Sequence, residues 1–201
     1  MKNIRINVDS CVSQTRAEGP GLRYTVWTQG CPLRCPGCCN PHLLEDRDNT
    51  WLSIPELIAD ITATPGIEGI TLVGGEPFHQ ADACAALAAG VRAAGLSVMV
   101  FSGFTLPQLR RRKAWSTFLS QIDLLIDGPY DQTQPDTTRR WIGSRNQQIH
   151  ALTDRYRGLA GAWDRSRDTI ELRLSGGQIQ INGDPHADII ALAAASLERL
   201  S

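Results

Sequence analysis

"GCPLRCPGCCN" (residues 30–40) places four cysteines, Cys31, Cys35, Cys38 and Cys39, within nine residues. Just before it, "LRYTVWTQG" (22–30) is β-branched and aromatic and ends at glycine. That pattern predicts a strand whose C-terminal end feeds the cysteines. Three explanations compete for thiols at this density. Disulfides suit an oxidising compartment and a short, cysteine-dense chain. Here "MKNIRINVDSC" has no apolar run of signal-peptide length, and no stretch approaches the ~20 apolar residues of a spanning helix. The expected location is therefore cytoplasmic, where thiols stay reduced. A structural zinc site draws paired cysteines from separated segments, yet Cys11 and Cys84 stand alone. The third arrangement is an iron–sulfur cluster on Cys31, Cys35 and Cys38. A tetranuclear cluster normally takes four cysteine ligands, so three would leave one iron open to a small molecule. Cys39 then reads as a small neighbour packed under the loop.

Outward from this stretch, strand and helix patterns alternate. "SIPELIADITATPG" (53–66) reads as a helix with Ser53 as N-cap, a capping box to Glu56, and Pro55 in the first turn. "GITLVGGEPF" (69–78) is a buried strand stopped by two glycines, and "ADACAALAAGVRAAG" (81–95) a helix. "LSVMVFSG" (96–103) and "IDLLIDGPY" (122–130) are further strands, separated by a helix over 106–120 capped at Thr105. Continuous apolar strands joined by helices predict an α/β fold with a parallel sheet covered on at least one face. Four βα units are too few for a closed eight-stranded barrel, so a partial, open (β/α) barrel-like sheet is expected. Residues 131–168 are polar, with aromatics at Trp141, Tyr156 and Trp163, and read mainly as loop with short helices; the tryptophans read as core or interface anchors. "TIELRLSGGQIQING" (169–183) is a hairpin pattern around Gly176 and Gly177, and 186–200 an amphipathic helix.

"GGEP" (74–77) ends a predicted strand about 36 residues after Cys38. With the CxxxCxxC spacing of Cys31, Cys35 and Cys38, it resembles the radical S-adenosylmethionine (radical SAM) superfamily. The resemblance implies that Gly74, Gly75, Glu76 and Pro77 bind the amino group of SAM. Glycines permit close backbone approach, and a strand-end carbonyl or the Glu76 carboxylate is a suitable acceptor for an ammonium group.

Six segments narrow the likeness: "GPGLR" (19–23), "QGCPLRCPGCCNP" (29–41), "GGEPF" (74–78), "FSGF" (101–104), "DGPYD" (127–131) and "WIGSRNQQIH" (141–150). Their order and spacing resemble the anaerobic ribonucleotide reductase activating proteins over about residues 4–155. That family makes a glycyl radical on its partner, a glycyl-radical enzyme, after reductive cleavage of SAM at a 4Fe–4S cluster to a 5′-deoxyadenosyl radical. A flavodoxin or ferredoxin-type donor supplies the electron. Residues 1–155 are then the cluster domain, and 156–201 an extension of hairpin plus helix packed on it.

Two readings stay open for three further residues. Ser102 either bonds the SAM carboxylate or ribose or simply ends its strand. Asp127 either meets a ribose hydroxyl or caps the Gly128–Pro129 turn. Asn40 either donates near the cluster or belongs to ordinary Asn–Pro turn chemistry. His42, His79, His150 and His186 lack metal-like spacing and read as solvent or packing residues. A net charge of -1 gives no global field for nucleic acid or an anionic membrane, and Arg110, Arg111, Arg112 and Lys113 read as a solvated helix face. Fold and cofactor do not fix the substrate. A radical SAM enzyme acting on another peptide or small molecule, and a non-catalytic zinc or iron–sulfur module, are the alternatives.

Overall fold

Four apolar runs of the sequence lie side by side as parallel strands in the computed structural model of the chain, which describes residues 4–159, 161–162, 170–175 and 178–183. The main strands are β1 (Arg5–Thr15), β2 (Arg23–Thr28), β3 (Thr50–Ser53), β4 (Gly69–Gly74), β5 (Ser97–Ser102), β6 (Leu124–Asp127) and β7 (Gln148–Ala151). The helices are α1 (Ile54–Ala63), α2 (Ala81–Ala93), α3 (Leu106–Arg111) and α4 (Ser116–Leu119). Hydrogen bonding gives the order β3-β1-β2-β4-β5-β6-β7 in one open sheet. β2, β4, β5 and β6 are parallel. β1 and β3 add antiparallel at one edge and β7 at the other.

Alternation along each strand assigns its two faces. Tyr24, Val26, Ile70, Leu72, Val98, Val100 and Leu125 point to one side, where they share a core with Leu57, Ile61, Leu87, Val91, Leu109 and Phe118 of the helices. Met99, Leu124 and Ile126 point to the other side and pack with Trp141, Ile142 and Tyr156. The polar 131–159 segment therefore supplies three aromatic or branched anchors for this second face, each contributing about 1.5–3 kcal/mol of burial.

Several local expectations change. β1, β3 and β7 were not foreseen in the sequence. β1 is rich in polar residues, while β3 and β7 have four residues each and lie at the sheet edges. Ser53 makes no side-chain cap, because it is held in β3 opposite Arg5, and Ile54 N–H bonds Ile4 O instead (3.0 Å). The helix expected over 106–120 breaks at Arg112, whose backbone is extended (ψ 98°). The hairpin forms as β8 (Glu171–Ser175) and β9 (Gln178–Asn182), a separate two-stranded sheet. Trp163 and the 186–200 helix lie outside the described residues. Among those described, no helix is long and apolar enough to cross a membrane.

The N-terminal ends of the parallel strands are sealed by Arg23, which is fully buried. Its guanidinium donates to Thr71 Oγ1 (2.8 Å), Ser97 Oγ (3.0 Å), Tyr156 Oη (3.3 Å), Pro20 O (3.1 Å) and Ile70 O. Tyr156 in turn donates to Glu68. The "GPGLR" segment thus builds the floor opposite the cysteines. Arg23→Ala leaves these buried acceptors without a donor and is expected to cost about 3–5 kcal/mol, read as a fall in the urea midpoint. A loss under about 1 kcal/mol would show that water satisfies the cavity.

Candidate active site

All four parallel strands end on one rim, and the cysteines follow β2 there. Gly30 N–H donates to Leu43 O (3.0 Å) and Cys31 N–H to Leu44 O (3.4 Å). These bonds close the neck of a hoop that holds residues 31–42, with Leu43 buried as its plug. Inside the hoop, Arg34 (φ 49°) and Gly37 (φ 74°) turn through left-handed conformations, and Cys38 N–H bonds Cys35 O (3.2 Å). Cys31, Cys35 and Cys38 are each half-buried, Cys39 is exposed, and all six cysteines are free thiols. Cys84 is buried in α2 and Cys11 is in β1, so neither reaches the hoop by sequence position or strand placement.

Backbone amides point at the sulfurs. Asn40 N–H donates to Cys38 Sγ (3.4 Å). Burial pushes the Cys31 thiol up, and the amides of Leu33 and Arg34 pull it back. Cys38 is pulled down to about 6, first by a hydrogen bond from Cys39 and then, against burial, by the Asn40 amide and nearby His42. Thiolates supported by backbone N–H groups are the donor set of an iron–sulfur cluster. Among the described residues no three His, Cys, Asp or Glu side chains converge around a single ion.

The hoop sits on the ends of the neighbouring strands. Gly75 N–H donates to Thr28 O (2.8 Å), and Glu76 N–H to Gly30 O (2.9 Å). A Cβ on Gly75 would stand 2.3 Å from Gly30 O, and one on Gly103 would stand 2.4 Å from Leu33 Cδ1. The glycine of "GGEP" therefore lets β4 approach the cysteine loop itself. Gly37 faces Tyr130 and Gln132 of the segment after β6. The hoop thus bridges from β2 across β4 and β5 to the loop that follows β6.

Glu76 is 1% exposed and its carboxylate is already engaged. Oε1 accepts from Phe78 N (3.0 Å) and Ser102 Oγ (3.0 Å), and Oε2 from Gly103 N (2.8 Å). Burial raises its pKa to about 7, against the pull of those donors. The side chain ties the end of β4 to the end of β5, and Pro77 is buried at the start of the turn that follows. Ser102 also accepts from Phe104 N (3.1 Å), so its hydroxyl belongs to the same knot. Asp127 is buried and accepts from Leu106 N at the start of α3. Its carboxylate thus ties the end of β6 to the start of α3. His150 Nε2 stands 3.1 Å from Asp127 Oδ1, within ion-pair reach but off the line of a hydrogen bond. In "GSRNQ", Gln147 accepts from Gly143 N and Ser144 N and donates to Gly128 O, while Asn146 donates to Pro129 O. This motif fastens the loop after β6 to β7.

Sequence reasoning missed Gln80, whose side chain accepts from Asn7 N (2.8 Å) and donates to Asn7 O (2.7 Å) and Gln29 O (3.0 Å). Its partner is 73 residues away, and no local pattern signals it. On the face opposite the helices α1–α4, Trp27, Val73 and Phe101 align across β2, β4 and β5 just below the rim, each half-exposed.

The model of a family described as a 4Fe-4S single cluster domain matches residues 17–150. An anaerobic ribonucleoside-triphosphate reductase-activating protein of Vibrio cholerae is 34% identical over 143 residues, covering 67% of this chain and 91% of that protein. The protein of the same name in Escherichia coli K12 is 32% identical over 142 residues, with the same coverage. Its namesake in Enterobacteria phage T4 is 27% identical over 156 residues, covering 74% and 96%.

Single substitutions test this geometry. Gly75→Ala drives a methyl into the Gly30 carbonyl and is expected to abolish iron retention after anaerobic reconstitution. Gly158→Ala, with nothing within 4 Å of its added carbon, is expected to bind iron normally. Glu76→Ala strands three buried donors and should cost about 3 kcal/mol in the denaturant midpoint.

Proposed function

The chain belongs to the 4Fe-4S single cluster domain family and, within it, to the anaerobic ribonucleoside-triphosphate reductase-activating proteins, and from that membership we propose that it activates a glycyl-radical reductase by radical SAM chemistry. Cys31, Cys35 and Cys38 would hold the cluster, and SAM would complete it. When bound, the cluster supplies the electron that reductively cleaves SAM to methionine and a 5′-deoxyadenosyl radical, which takes a hydrogen atom from the glycine of the reductase. The observation that carries this reading is the seating of the neck of the three-cysteine hoop, at Gly30, directly on the "GGEP" backbone at Gly75 and Glu76.

The chain's own residues position and shield. Gly74, Gly75 and the strand-end carbonyls form the surface beside the hoop on which the SAM amino group would rest. Glu76 and Ser102 act as positioning residues, since their oxygens are spent on holding two strand ends together. Asp127 sets the start of α3, and Asn40 steadies the Cys38 sulfur through its backbone. The row of Trp27, Val73 and Phe101 offers an apolar floor that excludes water from a reactive site.

We read the open sheet as the partial (β/α) barrel of radical SAM enzymes, residues 1–155 as the cluster domain and 156–201 as an extension packed on it, and the setting as cytoplasmic. The electron comes from a flavodoxin or ferredoxin-type protein.

Anaerobic incubation of the reconstituted chain with the reductase, SAM and a reductant is expected to give a glycyl radical by electron paramagnetic resonance. Release of 5′-deoxyadenosine without that signal would move the activity to another substrate. Single Cys31→Ala, Cys35→Ala and Cys38→Ala variants should lose both iron and SAM cleavage, and Cys39→Ala should keep both. Full turnover by Cys35→Ala would overturn the ligand assignment.

A further inference from the structure

Activation requires an electron from outside the chain, so a donor-docking role for any surface rests on the activation reading. Arg110, Arg111, Arg112 and Lys113 are consecutive and all exposed. Among the described residues, none of the four is in an ion pair. One or two cations at the end of a helix are accounted for by its dipole. Arg112 and Lys113, however, lie beyond the end of α3, a helix of six residues.

Arg112 at its centre is also fixed in place. Arg112 Cζ stands 4.3 Å from the centre of the Trp115 ring and 5.4 Å from that of Phe104. Trp115 packs on Phe104 (4.8 Å) and on Phe78 (5.3 Å). Phe78 directly follows "GGEP", and Phe104 directly follows Gly103, against which Leu33 of the cysteine hoop rests. Two neighbour contacts therefore separate the cysteine hoop from Arg112. A stacked guanidinium loses little side-chain entropy when a partner arrives. With a net charge of -1 on the whole chain, this local patch is a feature that orients an approaching protein.

We propose that the Arg110–Lys113 face, beside the cysteine hoop, is the docking surface for the acidic surface of the one-electron donor protein. Docking makes and breaks no bond in the chain. The electron that crosses the contact comes from the donor's reduced centre, which is oxidised by one.

The test uses the full reconstituted chain and a triple variant, Arg110→Gln, Arg111→Gln and Lys113→Gln, with flavodoxin as the acidic probe. Photoreduced deazaflavin, a donor with no protein surface, is the comparison. The variant is expected to bind oxidised flavodoxin at least about tenfold more weakly at low ionic strength, with a flattened salt dependence. Reduction by flavodoxin should slow by the same factor, and reduction by deazaflavin should be unchanged. Unchanged flavodoxin binding and reduction would overturn the proposal. Unchanged flavodoxin binding with weaker binding of the reductase would also overturn it and assign the patch to the reductase. If the unsubstituted chain cleaves no SAM even with deazaflavin, the activation reading fails, while the binding measurement still decides the patch.

Discussion

Backbone meeting backbone at Gly75 and Gly30 is the contact on which the rim depends. A carbonyl and a glycine α-carbon touch where any side chain would intervene, and two amide hydrogen bonds, to Thr28 and Gly30, hold the two segments in register. Because β2 and β4 are adjacent parallel strands, this contact carries their pairing past the last ladder bond into the loops. The position of the cysteines is therefore inherited from the sheet, and the stiffness of a packed interior extends to a surface segment.

Next to that contact lies a fully buried carboxylate. Burying an unpaired charge is prohibitive, and three donors, one from the turn after β4 and two from the end of β5, make it tolerable. The result is a knot at the ends of β4 and β5 that fixes where Gly103 and Phe104 start. Since Leu33 rests on Gly103, the knot also sets the height of the hoop above the sheet. Protein groups that orient ligands from one shell back are a common device of metal sites.

The parallel core could be read in the sequence because its strands are continuous apolar runs between helices, and the hoop because its cysteines are close in sequence. What escaped had non-local causes. β3 and β7 are short edge strands whose pairing is decided by partners over 40 residues and over 20 residues away, Arg5 and Leu124. The break at Arg112 follows from a stack on Trp115 and Phe104, which overrides a good helical pattern. For motif residues the packing adds partners that the pattern does not show: Glu76, Ser102 and Asp127 bond the chain's own amides and hydroxyls. Sequence pattern identifies polar residues at strand ends, and only the packing tells which way they turn.

The closed neck between Gly30 and Leu43 separates two processes that small metalloproteins usually merge. A finger-like domain gathers its ligands from distant segments and collapses when the metal leaves. Here the three cysteines proposed to hold the group lie on one stapled handle on a sheet with an apolar interior of its own. On that reading, loading and unloading the inorganic group are surface events, and a chain stripped of it is expected to keep its architecture and to be recharged without passing through the denatured state.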